Sequence, residues 1–328
     1  MSLPVIEVLA TGGTIAGAGN DEVASAYCSG TLGVNELVAA VPQLAQRAQL
    51  VCKQVVNIGS QDMTEDVWLK LVQTINEDAD KVDGFVITHG TDTMEETAYF
   101  VHLAAKTDKP IIFVGSMRPA TGLSADGPKN LYNAIVAAAS EKTRGMGALI
   151  CMNDLLVSAR DAIKHDTTSV QTFSGANFGT VGFIHNSQVT IGMRSTFEHT
   201  TQTPFDVTGL TQLPKVGIVY NYAHVPAEPL LALLQAGFVG IVNAGLGNGN
   251  IHKHLLPHLA QAVQDGVTVV RSSRAASGSS TQNGETDDAR YGFIASEFLN
   301  PQKARVLLQL ALTVTDNKER IQAFFERY

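Results

Sequence analysis

Val5-Ile-Glu-Val-Leu-Ala10 runs directly into Thr11-Gly-Gly-Thr-Ile-Ala-Gly17, and that junction sets the fold class. A short apolar run reads as a buried strand. Paired glycines straight after it read as a sharp turn whose backbone passes close to something else. The pattern recurs along the chain. Leu50–Val56, Gly84–Thr88, Pro110–Val114 and Gly147–Met152 are further apolar runs. Between them, Val34–Val41, Glu65–Ile75, Met94–Ala105 and Asn130–Ala139 carry apolar residues at helical spacing. Strand–helix alternation at this rhythm predicts a parallel sheet wound on both faces. Gly179–His185 and Val189–Met193 flank Asn186-Ser187 and predict an antiparallel hairpin at the end of this region.

Residues 194–213 turn polar and threonine-rich, with Pro204 inside and Pro214 just beyond, and read as a linker. The alternation then resumes with strands at Val216–Tyr220, Val239–Val242 and Val267–Arg271 and helices at Pro229–Gln235 and Leu255–Val263. Pro301–Leu312 and Asp316–Phe325 close the chain as helices, and Asp316-Asn-Lys-Glu319 has the spacing of an N-terminal cap. The expected fold class is therefore α/β: a larger N-terminal domain with a mostly parallel sheet (1–193), a linker (194–213) and a smaller C-terminal parallel α/β domain (214–328).

Composition narrows the function. The chain has 328 residues and 34.9 kDa, enough for two such domains. With 23 basic and 31 acidic residues the net charge is −8, which offers no attraction to nucleic acid or an anionic membrane. Charged residues make up 16% of the chain, well below the roughly 25% of an average soluble domain, so much of the surface is expected to be covered by other subunits. No stretch approaches the ~18 uncharged apolar residues of a membrane span. The first ten residues lack a basic start and meet Glu7 early, which predicts a cytoplasmic protein as the chain stands, or a periplasmic one if a leader was removed. Cys28, Cys52 and Cys151 are odd in number, lack metal-type spacing and read as free thiols.

Ligands of open parallel sheets bind beyond the carboxyl ends of strands. Four such ends carry hydroxyl side chains beside glycine: Thr11–Gly17, Asn57-Ile-Gly-Ser-Gln-Asp62, His89-Gly-Thr-Asp-Thr93 and Gly115-Ser-Met-Arg-Pro119. The first lacks the lysine and spacing of a phosphate-binding P-loop. In the third, Thr93-Met-Glu-Glu96 has capping-box spacing, which leaves Thr91 and Asp92 unused at a helix N-terminus. His89 has no second ligand at a sensible spacing and reads as a locally bonded histidine. Ala244-Gly-Leu-Gly-Asn-Gly-Asn250 suggests a dinucleotide loop, but its third glycine comes one place early. The next strand ends at Arg271 instead of an acid. Glu285-Thr-Asp-Asp288 reads, by itself, as a solvated acidic run.

Thr11–Gly17 and His89-Gly-Thr-Asp-Thr-Met-Glu-Glu96 together resemble the two signature loops of bacterial L-asparaginases. Gly59–Asp62, Met117–Pro119, Ser124–Gly127, Pro214–Val216, Gly247–Asn250, Arg271–Arg274 and Asn300–Arg305 extend the resemblance over nearly the whole chain. It implies hydrolysis of L-asparagine, and more weakly L-glutamine, without a cofactor or metal. It also implies a homotetramer built as a dimer of intimate dimers, with each site completed by a neighbour. By position, Thr14 carries over as nucleophile, Tyr27 as its lid-loop partner, and Thr91, Asp92 and Lys164 as a second catalytic group. Ser60, Gln61 and Asp92 would hold the amino-acid end of the substrate, Asn250 and Glu285 would come from the neighbour, and Glu285 also counts as catalytic. Gly13, Gly59, Gly90, Thr91 and the carbonyl of Ser116, where many members have alanine, complete the binding set. Secreted members can carry a disulfide at positions matching Ala79 and Thr107, which cannot form here.

The chemistry of these side chains agrees with those roles. An alcohol needs a base within hydrogen-bond reach, and lysine serves only as a neutral amine, which burial favours and an adjacent carboxylate opposes. Backbone N–H groups of Gly12–Thr14 and Gly90–Asp92 are candidate oxyanion donors, each worth roughly 3–4 kcal/mol. Tyr27 lies in a stretch with Gly19, Asn20, Ser25 and Gly30, a composition suited to a lid. Two alternatives stand beside the leading reading, a dual glutaminase–asparaginase and a non-catalytic two-domain binding protein.

Overall fold

A computed structural model describes residues 2–17, 30 and 33–328, in two compact units, Met1–Thr203 with Val207–Gly209 and Pro204–Asp206 with Leu210–Tyr328. The first unit holds β1 (Val5–Gly12), α1 (Val34–Ala39), β2 (Gln49–Ile58), α2 (Glu65–Asp78), β3 (Gly84–Thr88), α3 (Met94–Ala104), β4 (Ile111–Val114), α4 (Gly127–Ala138) and β5 (Ala148–Met152). Five further strands follow: β6 (Leu155–Ser158), β7 (Ala162–Lys164), β8 (Phe173–Gly175), β9 (Gly182–His185) and β10 (Gln188–Ile191).

Eight strands form one sheet in the order β10-β9-β6-β5-β4-β3-β1-β2. From β2 to β5 all neighbours are parallel, whereas β6, β9 and β10 are added antiparallel. β1 lies between β2 and β3, so the chain leaves it toward one side and returns on the other. The ends of β1 and β3 therefore flank a topological switch point, where such sheets leave a crevice. Alternation along β1 turns Ile6, Val8 and Ala10 into the core made with α1 and α4. Glu7 points the opposite way, to the face where Asp78 of α2 acts on it. On that side Trp68 of α2 donates its indole N–H to Thr97 of α3 at 2.8 Å.

The expected wound α/β sheet is present, with corrections. Leu50–Val56 is not a fully buried strand. It belongs to the edge strand β2, whose residues are mostly half-buried or exposed, and β2 extends through Asn57 and Ile58, so its loop starts at Gly59. The Asn186-Ser187 hairpin forms, with φ of 47° and 61° at its two turn residues, as a two-residue hairpin turn requires. The polar segment after it is no loose tether. Thr200 and Thr203 are buried, and their carbonyls accept from Lys106 Nζ at 3.2 and 3.0 Å.

The second unit holds β11 (Val216–Tyr220), α5 (Glu228–Gln235), β12 (Gly240–Gly245), α6 (Leu256–Gln264), β13 (Thr268–Ser273), α7 (Asp288–Tyr291), β14 (Ile294–Ala295), α8 (Pro301–Val314) and α9 (Lys318–Arg327). Its four strands lie in sequence order, all parallel. Val219, Leu230, Ile241, Leu255, Leu259 and Val269 form its core, each such buried side chain worth roughly 1.5–3 kcal/mol. The cap of α9 is Asn317, not Asp316: the Asn317 side chain accepts from Arg320 N at 2.8 Å. Cys52 is half-buried and Cys151 buried, both free, and Cys28 lies outside the described residues. Among the described residues no helix is long and apolar enough to cross a membrane, and no cluster of three or more His, Cys, Asp or Glu is arranged to hold a metal.

Candidate active site

Three loops meet at the switch point because glycine lets them. Gly12, which ends β1, and Gly13 just after it have φ of 105° and 84°, in the region that disfavours side chains. A Cβ on Gly13 would lie 2.3 Å from Gly90 N, and one on Gly90 would lie 2.6 Å from Ser60 Oγ. The loops after β1, β3 and β2 are thus in backbone contact, and the candidate hydroxyls stand on them. Thr14, in a single 3₁₀ turn at Thr14–Ala16, is 6% exposed, Thr91 5% and Ser60 3%. Their backbones are tied across loops: Gly13 N donates to Ile58 O at 2.9 Å, and Asp92 N donates to Ser60 Oγ at 3.1 Å. Those two N–H groups, both among the candidate oxyanion donors, are already committed to the protein.

The capping box expected at Thr93 does not form. Its backbone starts α3, but its side chain makes no cap; Thr93 Oγ1 donates instead to Ser60 O at 2.7 Å. Tethering the β2 loop takes precedence over capping the helix. His89 is fully buried. Desolvation pushes its imidazole down to about 4, against the opposing pull of the Gly90 carbonyl, which sits 2.6 Å from Nδ1. It remains neutral at physiological pH and supports the loop from behind.

Lys164 arrives from a structure that periodicity could not reveal. It ends β7, which pairs antiparallel with β8 in a separate two-stranded ribbon, each strand only three residues long. Glu95, in the first turn of α3 and buried, accepts the Lys164 backbone N–H on Oε2 at 3.1 Å. The ammonium then donates to Thr91 Oγ1 at 2.9 Å and pairs with Asp92 Oδ1 at 2.5 Å. The Lys164 nitrogen thus touches both a hydroxyl and a carboxylate, an arrangement able to move a proton to or from an alcohol. Glu95 was not singled out by sequence reasoning. It lies inside the stretch Thr93–Glu96 with capping-box spacing, where local sequence carries no sign of a backbone 69 residues away.

Of the remaining candidates, Gln61 is exposed beside Gly59, where a Cβ would strike the Gln61 amide at 2.4 Å. Ser116 is fully buried, and its hydroxyl donates to Arg118 O at 2.9 Å, within its own loop. Tyr27 lies outside the described residues. In the second unit, half-buried Asn250 and exposed Glu285 meet, with Asn250 Nδ2 donating to Glu285 Oε2 at 2.5 Å. Asn250 Oδ1 is buried and, among the described residues, has no partner.

The sequence profile described as "Asparaginase, N-terminal" matches residues 5–197, and that described as "Glutaminase/Asparaginase C-terminal domain" matches residues 215–325. The chain belongs to the asparaginase family. It is 56% identical to L-asparaginase 2 of Escherichia coli, over 100% of this chain and 94% of that one. It is 55% identical to a probable periplasmic L-asparaginase of Haemophilus influenzae, over 99% and 93%. The crystal structure of a probable cytoplasmic L-asparaginase from Campylobacter jejuni matches with a TM-score of 0.97 at 43% identity, covering both chains completely. The names of these asparaginase relatives span periplasm and cytoplasm, so compartment does not travel with the fold. Family membership, resting on motifs from Thr11 to Arg305, and the two-domain α/β class expected from the sequence both stand.

Proposed function

We propose that the protein is an L-asparaginase that hydrolyses L-asparagine to L-aspartate and ammonia through a threonyl ester, with minor activity on L-glutamine. The observation that carries the reading is the Lys164–Thr91–Asp92 cluster, built on a loop in backbone contact with the loop of Thr14. The names of the close relatives agree with it. In the first half-reaction the Thr14 oxygen bonds to the carboxamide carbon, its proton passes to a base, and the C–N bond breaks as that proton is handed to the departing nitrogen, which leaves as ammonia. In the second, water adds to the ester and the C–O bond to threonine breaks, restoring the hydroxyl. Lys164 and Tyr27 both remain as candidates for the base, and Thr91 as the alternative first nucleophile. Ser60, Gln61 and Asp92 would hold the α-amino and α-carboxylate groups.

The assembly proposed with this chemistry is a homotetramer in which Asn250 and Glu285 reach a neighbour's site, consistent with a chain only 16% charged. Ammonia release tests the reaction. Thr14→Ala and Thr91→Ala are each expected to abolish turnover while the protein stays folded, and full activity in Thr14→Ala would remove it as nucleophile. A dual-specificity enzyme is the second reading, since one methylene separates the substrates by only about 1–3 kcal/mol in an apolar pocket. Equal kcat/KM for the two amides would decide for the second reading.

A further inference from the structure

Two stretches that the sequence singled out, the glycine-rich Ala244–Asn250 and the acidic Glu285–Asp288, converge on Arg271 of β13. Its guanidinium is buried, 1% exposed, and all five of its N–H groups are used. Nε and Nη2 donate to Asp288 Oδ1 and Oδ2, both at 2.5 Å, as a bidentate fork. Nη2 also donates to Thr281 O at 2.9 Å, while Nη1 donates to Asn248 O at 3.0 Å and Gly249 O at 3.3 Å. The acceptors on one side are the two residues before Asn250, and those on the other bracket Glu285. Asp288, 3% exposed, also accepts Asn283 N at 2.8 Å. Asn248 and Thr281 stitch the loops directly through two bonds of 2.8 Å. Gly249 has φ of 75°, and a Cβ there would lie 2.9 Å from Arg271 Nη1, so the loop is bare where the guanidinium passes.

We propose that Arg271 is a positioning residue for the Asn250–Glu285 pair, its guanidinium clasping the two loops that carry them. This rests on the assignment of that pair to the substrate site. Neutralising Asp288 would need only a positive charge. The planar fork adds direction, and five directed bonds set the register of one loop against the other, which a lysine cannot do.

The test is steady-state kinetics on the full-length enzyme with Arg271→Lys and with the paired Arg271→Met/Asp288→Leu, which removes the clasp without stranding a buried charge. Both are expected to fold cooperatively, to raise KM for L-asparagine about tenfold or more, and to shift the asparagine-to-glutamine ratio of kcat/KM. In an Asn250→Ala/Glu285→Ala background the same changes should add nothing further to KM, or to the Kd of L-aspartate where turnover is too slow, because Arg271 acts through that pair. A purely structural role would lower Tm and the active fraction and leave KM alone. Unchanged KM in the folded variants, or losses that multiply in that background, would overturn the clasp. If the paired variant does not fold, Asp288→Asn takes its place with the same expectation. Full activity in both Asn250→Ala and Glu285→Ala would overturn the site assignment and the clasp's role with it. Loss of activity in those two with normal KM in Arg271→Lys overturns the clasp alone.

Discussion

A methyl group on Gly13 would fall 2.3 Å from the backbone nitrogen of Gly90. This contact joins the ends of β1 and β3 across the switch point, and the two candidate threonines are the residues next to it. Gly13→Ala meets both that clash and an unfavourable φ of 84°. It is expected to reduce kcat by roughly 100-fold or more, because misplacement of about 1 Å has that effect, and to lower Tm. Thermal unfolding and ammonia release read the two effects, and a fully active Gly13→Ala would contradict the close approach.

Lys164 holds Thr91 through a bond whose donor is the amine, 2.9 Å away. Lys164→Met is expected to cut kcat by roughly 10²–10⁴-fold, the range of a lost general acid–base partner. Lys164→Arg should rescue little, since a guanidinium keeps the charge next to Asp92 and cannot accept a proton. Recovery of most of the activity in Lys164→Arg would show that charge alone suffices.

Sharing of the site between subunits is tested by mixing two inactive proteins. If Thr14 and Glu285 act on one substrate from different protomers, random exchange between Thr14→Ala and Glu285→Ala should leave about a quarter of sites with both intact. Ammonia release should recover to that level. No recovery, with exchange demonstrated by mass, would place both residues' roles within one protomer.

Glu7 makes stability depend on pH. Burial, with Asp78 adding to it, pushes its carboxyl up from 4.5 to about 7, against the pull of Lys53, whose Nζ lies 3.9 Å away. The native state therefore holds the proton more tightly than the unfolded chain. The contribution of this group is most favourable below pH 4.5, declines between about 4.5 and 7, and stays low above. Glu7→Gln, which never ionises, should raise Tm by a few degrees at pH 8, with the gain vanishing toward pH 4. A gain of the same size at both pH values would exclude this carboxyl as the cause.

Much of the parallel sheet is legible in the sequence because a strand buried on both faces must be apolar throughout and a helix must return before the next. Phe85–Ile87 and Ile111–Val114 show this directly, and Val5–Ala10 shows it with one exception, the buried Glu7. β7 and β8, three residues each, are too short to display a period, so Lys164 gained a place only through resemblance. Thr93 shows local chemistry overruled: its sequence spacing is that of a capping box, yet its hydroxyl goes to Ser60 O. The run Glu285–Asp288 shows the same ambiguity in charge, with Glu285 exposed and Asp288 buried against Arg271.

The sequence by itself determined the family, the strand–helix order and the residue types at each strand end, since these depend on local periodicity and on motifs that few folds tolerate. The tertiary structure alone decided which ends meet. β1 lies between β2 and β3, and the bare backbones of Gly13 and Gly90 touch. Lys164 crosses from a separate ribbon to Thr91. Whether a hydroxyl has an amine within 3 Å depends on the packing of segments far apart in the chain, and Thr91 and Lys164 are such a pair.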